Sequence, residues 1–401
     1  MKSGRFPPIY FNTERMFIMK KRILSVILSA LMLTAAGCAD KKDSNGNVKE
    51  TAPVFFQRNQ IQYGNGAVFG EEPALFIDFD TMEKSALCAV PNCNHQYSEC
   101  LAQAVGNAPV FYNDYVYYFK SNNGEIIETP EGRELFIESK LMKASLESSE
   151  AEEVCVFNDC APTQGFPGYV LYGNELYFTA DDLNPKEGID GNGVGGWGNS
   201  GGYHFICSIN LDTGEYTNYG SIYDGDKQYD GAEYSSCANI SGVYNDTMYI
   251  AYNFIKDNEA LQNGEDLDEI YTDLCFEFDF ETKTWKESNL PYSRYMNNNT
   301  YTYYDRDTKK MHILHEKGEL LIDSDYPIVV LSEVGGKLFI PDTIDSTNGK
   351  WYDLSDNSEY SMGKYSGYEA VGYHDGCYIL IKGGRNVKLT EEELFALNEE
   401  G

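Results

Sequence analysis

The sequence predicts an all-β protein folded as a β-propeller of six to eight blades, with seven the preferred number, and a short C-terminal helix. Three observations lead to this prediction. The 401-residue chain contains 32 Tyr, 21 Phe and 37 Gly, a composition that favours pleated surfaces joined by tight turns. A hairpin pattern recurs along residues 53–401, and neither a Pro-rich tract nor a charged linker divides that stretch.

The recurring hairpin has an aromatic or apolar residue, two or three turn-forming residues, and a second aromatic or apolar residue five positions after the first. Asn-Asp and Gly-Gly pairs supply the positive φ angles that tight hairpins need. A version with a longer turn begins at Tyr303. The short versions run from Tyr112 to Tyr117, Tyr172 to Tyr177, Tyr244 to Tyr249, Val334 to Phe339 and Tyr373 to Tyr378.

A second hairpin, with an Asp-Thr or Glu-Thr turn between its strands, follows most of the first ones. It surrounds Asp80, Asp212 and Glu281. Two hairpins make a four-stranded sheet, which is the unit of a propeller blade. A pair of β-sandwiches is the alternative architecture. The predicted units begin near residues 55, 109, 166, 239, 299, 327 and 367.

One helix is predicted, at the C-terminus. Thr390 and Glu393 have the spacing of a capping box ahead of Leu394, Phe395 and Leu397. We expect this short helix to cover the last blade.

Residues 19–37 contain the parts of an export signal: a basic start, an apolar run that is short for a membrane span, and small residues before Cys38. An apolar core helix is the alternative. The pattern resembles the lipobox of bacterial lipoproteins, with Ala35 where Leu is usual. The resemblance implies cleavage before Cys38 and a diacylglyceryl group on its thiol. Residues 1–18 then form an upstream extension, 38–52 a flexible linker and 53–401 the propeller domain.

The charge of the chain excludes nucleic acid as a partner. Residues 1–37 hold six basic and one acidic residue, so the remainder has 25 Lys and Arg against 62 Asp and Glu, a net charge of −37. A phosphate backbone requires a basic face, and an anionic bilayer would repel this surface. We therefore expect membrane contact through the lipid on Cys38 alone, at the outer face of the cytoplasmic membrane.

A cluster of soft ligands lies in the spacing C-x4-C-x-H-x4-C, formed by Cys88, Cys93, His95 and Cys100. Three thiols and an imidazole match a tetrahedral zinc site in number and softness. Disulfides are the favoured alternative, because the spacing is not that of a zinc knuckle and an exported chain permits oxidation. Nine cysteines follow Cys38, so at least one stays unpaired or binds another group. Either form is expected to hold the first blade together.

This cluster follows a lipobox and precedes Tyr-rich hairpin repeats. In that arrangement the chain resembles a group of lipoproteins of anaerobic Gram-positive bacteria whose repeats are similar to those of TolB-type propellers. The resemblance extends loosely over residues 19–390, and only the signal and the Cys/His stretch are specific. It implies a cell-surface propeller and no particular activity.

The longest Gly-rich insertion runs from Asp181 to His204. It contains a literal G-x-G-x-x-G from Gly191 to Gly196, but no helix can start in the NSGGYHF that follows, so a dinucleotide site is excluded. We expect the insertion to carry ligand contacts on one propeller face, with Trp197 and Tyr203 as the candidate ligand-binding residues. A plain flexible loop is the alternative.

The sequence contains no G-x-S-x-G, P-loop or Ser/His/Asp set, and no catalytic residue is assigned. The leading hypothesis is a surface binding or scaffold module for a glycan, a peptide or an envelope protein. A carbohydrate-active enzyme, either a glycosidase or a lyase, is one alternative, because propeller faces lined with aromatics and carboxylates suit sugar chemistry. An envelope-assembly or sensing partner is another.

Overall fold

The chain folds into seven antiparallel sheets arranged as blades in a ring, so the predicted β-propeller with seven blades is confirmed. Within the described part of the chain no helix has the length and apolar character of a membrane span. The computed structural model describes residues 52–56, 61–69, 73–97, 99–105, 109–121, 125–129, 132–136, 138–163, 168–182, 204–222, 234–255, 271–291, 300–324, 332–341, 348–382 and 385–395.

The first four blades share a set of four strands in sequence order, from the inner to the outer edge, and two further strands extend the sheet of blade 3 to six. Blade 1 has β2 (Ile61–Tyr63), β3 (Gly66–Phe69), β4 (Leu75–Asp78) and β5 (Lys84–Ala86). Blade 2 has β6 (Val110–Tyr112), β7 (Tyr115–Ser121), β10 (Ser139–Ser145) and β11 (Ala151–Phe157), with the hairpin β8 (Glu125–Thr129) and β9 (Gly132–Phe136) between β7 and β10. Blade 3 has β13 (Tyr169–Tyr172), β14 (Glu175–Asp182), β15 (His204–Asn210) and β16 (Tyr216–Ser221). Blade 4 has β17 (Tyr234–Tyr244), β18 (Thr247–Ile255), β19 (Tyr271–Asp279) and β20 (Thr284–Glu287).

The described parts of blades 5 and 7 contain three strands each, and blade 6 contains four. Blade 5 has β21 (Thr300–Asp305), β22 (Lys310–His315) and β23 (Gly318–Asp323). Blade 6 has β24 (Ser332–Val334), β25 (Lys337–Pro341), β26 (Gly349–Asp353) and β27 (Glu359–Ser361). Blade 7 has β28 (Glu369–His374), β29 (Cys377–Lys382) and β30 (Arg385–Thr390). The other elements are β1 (Val54–Phe56), β12 (Cys160–Pro162), α1 (Leu101–Ala104), α2 (Glu391–Phe395) and a 3-10 turn (Gly363–Tyr365).

Tight turns join the two innermost strands in the blades where the sequence predicts them. Asn113 and Asp114 have φ angles of 46° and 65°, and Gly335 and Gly336 have 61° and 76°. In blade 7 the turn residues are Asp375 and Gly376, and Tyr373 and Tyr378 of the predicted hairpin lie opposite each other on its two strands. Asn, Asp and Gly tolerate positive φ, which explains their recurrence at these positions.

The outer turns repeat a different chemistry. The carboxylate of Asp78 accepts hydrogen bonds from the N–H groups of Asp80 and Thr81 at 2.9 and 2.8 Å. Asn210 and Asp279 use their side chains in the same way at the outer turns of blades 3 and 4. The longer turn predicted after Tyr303 joins the first two strands of blade 5, and there the side chain of Asp305 accepts from Asp307 and Thr308 in the same way. These side-chain acceptors explain the recurring Asp-x-Asp-Thr sequence.

The inner and outer turns of a blade meet at the same end of the sheet. Phe79 donates its N–H to Asn65 O at 2.8 Å, and Leu211 donates to Asn174 O at 2.8 Å. We call this end the turn face. Because consecutive strands are antiparallel, the other connections within and between these blades leave from the opposite end, which we call the insertion face. Asp182 and His204, the two ends of the long insertion, lie at the insertion face.

The N-terminal strand β1 does not belong to blade 1. It pairs antiparallel with β13, the innermost strand of blade 3, with Val54 opposite Leu171 and Phe56 opposite Tyr169. Leu171 lies beside the turn at Gly173, so β1 runs from the turn face towards the insertion face. The chain therefore enters the propeller on the turn face, along its inner side. Both Phe55 and Phe56 are buried there.

Side-chain packing closes the ring between blade 1 and blade 7. Phe79 is fully buried against Val371 and Ile379 of blade 7. The Lys388 ammonium donates to Phe79 O at 3.1 Å, and His374 Nε2 lies 3.3 Å from an Asp80 carboxylate oxygen. Among the described residues, each strand of blades 1 and 7 pairs only with strands of its own blade. No described strand from one end of the chain therefore completes the sheet at the other end.

The predicted C-terminal helix is α2, and its capping box is present. Thr390 N–H donates to the Glu393 carboxylate at 2.8 Å, and Glu393 N–H donates to Thr390 Oγ1 at 3.2 Å. Leu394 and Phe395 of α2 are buried against blades 6 and 7. The helix thus covers the last blade, as the sequence predicts.

A buried cation fixes α2 to blade 6. Lys337 has only 4% of its side chain exposed, and its ammonium lies 2.5 Å from Asp353 and 3.0 Å from Glu391. Burial alone would raise the pKa of Asp353, but hydrogen bonds from Lys337 and Ser355 lower it to about 2. This ion pair therefore stabilises the folded state while Asp353 is charged.

Candidate functional site

The four residues of the predicted Cys/His cluster converge in the connection from blade 1 to blade 2. One ligand atom from each of Cys88, Cys93, His95 and Cys100 lies within 4.8 Å of all the others. His95 Nδ1 is 3.4 Å from Cys100 Sγ. Cys100 is buried and the other three are half-buried. The arrangement can hold one metal ion by three sulfurs and one nitrogen.

Local turn chemistry brings these residues together. Cys93 N–H donates to Val90 O at 3.3 Å, and Asn92 has a φ of 59°. A turn with Pro91 in its second position and Asn in its third is the sequence pattern of a type II turn. His95 also has a positive φ, 55°, and its backbone N–H donates to Cys93 Sγ at 3.4 Å. Two residues with left-handed backbone conformations therefore lie between the first and the last ligand of the cluster.

The cluster is tied to both neighbouring blades. Ala89 N–H donates to Ser149 Oγ of blade 2 at 2.7 Å. The N–H of Ala74 in blade 1 donates to Ala102 O of α1 at 2.7 Å. Gln103 in the same helix donates its amide to His95 O at 2.7 Å. The cluster therefore joins blade 1, α1 and blade 2.

The thiols of the cluster differ in acidity. The hydrogen bond from the His95 backbone lowers the pKa of Cys93. Burial raises the pKa of Cys100 to about 11. No disulfide joins any two of the cysteines whose side chains the structure describes.

The other residues predicted to be functional lie elsewhere. Cys38, Trp197 and Tyr203 are outside the described residues. The insertion that contains Trp197 and Tyr203 starts and ends on a defined base, because Asp181 pairs with His204 across β14 and β15. His204 Nδ1 lies 2.6 Å from Asp181 Oδ1.

Two further groups join residues that are distant in sequence, so spacing alone does not reveal them. Cys160 and Cys207 are buried with their sulfurs 4.0 Å apart, and the Tyr216 hydroxyl lies 3.1 Å from Cys160 Sγ. Asp80, His374 and Asp375 form the second group at the seam between blades 1 and 7. Only knowledge of the blade partners would have placed these residues together.

Three solved structures are similar to the chain in fold. The structure of YjhT has 12% identity and a TM-score of 0.34, covering 84% of this chain and 94% of its own. Oligogalacturonate lyase in complex with manganese has 10% identity and a TM-score of 0.40, covering 85% and 91%. The β-propeller domain of the trilobed protease from Pyrococcus furiosus has 10% identity and a TM-score of 0.34, covering 72% and 90%. No protein-family model and no curated protein matches the chain.

These similarities concern the fold alone. The sheets define the chain as a β-propeller, and its particular features are the thiol–imidazole cluster after blade 1, the inner strand β1 and the insertion at Asp181.

Proposed function

We propose that this chain is an exported, lipid-anchored β-propeller that binds an extracellular ligand through its insertion face. The main support is the opposite placement of two features. The chain enters the domain on the turn face, because β1 is antiparallel to β13. The insertion between Asp182 and His204 leaves from the insertion face. The point where β1 enters the domain and the two ends of the insertion are therefore at opposite ends of the blades, which supports an anchor on one side and recognition on the other.

The predicted lipid on Cys38 gives this geometry a consequence. A flexible linker over residues 38–52 spans about 20 Å on average. Such a linker keeps its point of entry near the bilayer, so the turn face is directed to the membrane and the insertion face outwards. A net negative charge adds repulsion from anionic lipid and leaves the lipid as the only attachment.

The insertion has the composition of a recognition loop on a fixed base. The hydrogen bond between Asp181 and His204 is supported by Thr163 Oγ1, which donates to Asp181 Oδ1 at 3.1 Å. His204 is buried and packs edge-on against Tyr252. Within the insertion, Trp197 is flanked by Gly196 and Gly198. A Trp without bulky neighbours can lie flat on a sugar ring, so a glycan is the ligand class we test first.

Binding to a printed array of bacterial and host glycans tests this function. We expect saturable binding that is lost when Gly191 to Gly201 are deleted, with the thermal midpoint nearly unchanged because the Asp181–His204 base is retained. Trp197→Ala should weaken binding, whereas the control Trp285→Ala, on an outer strand of blade 4, should not.

The same assay separates the alternatives. Release of new reducing ends or unsaturated sugars from a bound glycan would show the carbohydrate-active enzyme. If the chain binds no glycan but cross-links to one envelope protein on intact cells, its function would be that of an assembly or sensing partner. Glycan binding that survives the deletion would move the recognition surface to another part of the propeller.

A further inference from the structure

We propose that Cys88, Cys93, His95 and Cys100 bind one zinc ion, and that this ion is a structural staple between blades 1 and 2. The donor set is three sulfurs and one imidazole nitrogen, all within 4.8 Å of one another. Zinc in structural sites takes four such ligands in a tetrahedron. The inference is independent of the proposed surface binding.

The number of converging donors, and one distance among them, fit a metal tetrahedron. With Zn–S near 2.3 Å and Zn–N near 2.0 Å, neighbouring ligand atoms of a tetrahedral site lie roughly 3.5–3.8 Å apart. The 3.4 Å between His95 Nδ1 and Cys100 Sγ is close to such an edge. A disulfide would use two of the three sulfurs and would need neither the third nor the imidazole. All four donors converge, which a metal requires and a disulfide does not.

The backbone around the cluster also suits a bound metal. The backbone N–H of His95 donates a hydrogen bond to Cys93 Sγ, one of the proposed ligands. Hydrogen bonds of this kind support metal-bound thiolates from outside the coordination shell. His95 also has a positive φ, a backbone conformation that a residue other than Gly adopts at a cost, and a metal bond to its side chain offsets that cost.

Burial of large apolar side chains does little to order the stretch between the ligands. Val90 is 48% exposed and Tyr97 is 64% exposed, so burial of large side chains does not fix the loop. The following helix α1 contains four residues, too few to be stable alone. Yet Leu101 and Ala102 of this helix are buried in the core shared by the first three blades. A four-coordinate ion at the start of α1 explains how the helix is held in place.

The count of thiols is consistent with this assignment. Nine cysteines follow Cys38, and a site that takes three leaves an even number. Two of those remaining, Cys160 and Cys207, lie with their sulfurs 4.0 Å apart. A three-thiol site therefore removes the odd cysteine from the count.

Metal analysis of the purified full chain tests the proposal. We expect one zinc per chain by elemental mass spectrometry, and an intact mass that shows reduced Cys88, Cys93 and Cys100. A cobalt-substituted chain should show the absorption bands of tetrahedral Co²⁺ with thiolate ligands. Chelation should expose three additional thiols to alkylation and speed amide exchange across residues 93–105.

Two variants make the test specific. Cys93→Ser combined with Cys100→Ser should lose the zinc, whereas Cys377→Ser, a half-buried thiol in blade 7, should retain it. Because the wild-type stoichiometry needs no variant, the test holds even if the double variant folds poorly. A disulfide within the cluster, zinc retained by the double variant, or a chain that stays metal-free after incubation with zinc would each overturn the proposal.

Discussion

The seam between blades 1 and 7 offers a direct test of how the ring closes. Phe79 of blade 1 is fully buried, and its ring occupies the space that a Cβ at Gly372 of blade 7 would fill. Phe79→Ala should cost about 3–5 kcal/mol, the usual range for removing a buried aromatic ring. Gly372→Ala should cost about 1–2 kcal/mol, because overpacking against the ring outweighs the entropy gained in the unfolded chain.

The two changes together should be strongly coupled. Once the Phe79 ring is absent, the added methyl group at Gly372 has room and partly fills the cavity. Gly372→Ala should then be neutral or stabilising by up to about 1 kcal/mol, which gives a coupling of about 2 kcal/mol. The cycle is measured by urea unfolding followed by tryptophan fluorescence.

A second glycine outside the Phe79–Gly372 pair serves as the control for this double-mutant cycle. Gly349→Ala in blade 6 places a Cβ against the backbone of Ile340, far from the seam. It should destabilise the chain equally with and without Phe79. The packing argument fails if Gly372→Ala costs the same in both backgrounds, to within about 0.5 kcal/mol.

Three further predictions follow from single contacts. Lys337→Met leaves the half-buried Asp353 without its cation and should cost about 3 kcal/mol in unfolding free energy. The pKa of Asp353 is lowered to about 2, so in the wild type the ion pair stabilises the fold fully above pH about 4. This stabilisation is lost as the pH falls through about 2. The stability of the variant should not show this loss at low pH. Thr390→Ala removes the cap of α2 and should lower the free energy of unfolding by about 1 kcal/mol, measured by denaturation. Cys38→Ala should abolish incorporation of labelled fatty acid, and a lipidated variant would contradict the lipobox assignment.

The sequence revealed the features of this fold that depend on neighbouring residues. The turn pairs at Asn113 and Gly335 need positive φ, and the side chain of Asp279 must accept two backbone N–H groups. Such requirements restrict residue types within a few positions, so the hairpins and the starts of the blades could be recognised. The capping box at Thr390 was predictable for the same reason.

Features that depend on distant partners could not be recognised in this way. Residues 54–56 read as a strand, and the sequence assigned them to a unit beginning near residue 55. Their partner is β13, more than a hundred residues away, because Phe55 and Phe56 find cores beside the inner edge of blade 3. The same limit applies to Cys160 and Cys207, whose proximity follows from the path of β12.

For the candidate site, too, the sequence showed what depends on nearby residues and not what depends on the fold. The four ligands of the cluster lie within thirteen residues, so their types and number were visible. Their convergence was not, because it depends on the positive φ of Asn92 and His95 and on the contacts of Ala89 and Gln103. Whether these residues bind zinc or form a disulfide stays a prediction until metal and mass are measured.

The orientation of the propeller at the membrane is the central claim and can be measured with the lipidated chain in liposomes that contain an acceptor lipid. Two labelled variants are compared, each with a donor dye on a non-natural residue. In one the residue replaces Trp197 in the insertion, and in the other it replaces the exposed Asn245 in an inner turn. We expect strong energy transfer from position 245 and weak transfer from position 197, because the chain enters on the turn face. Equal transfer from both positions, or stronger transfer from position 197, would contradict the proposed orientation.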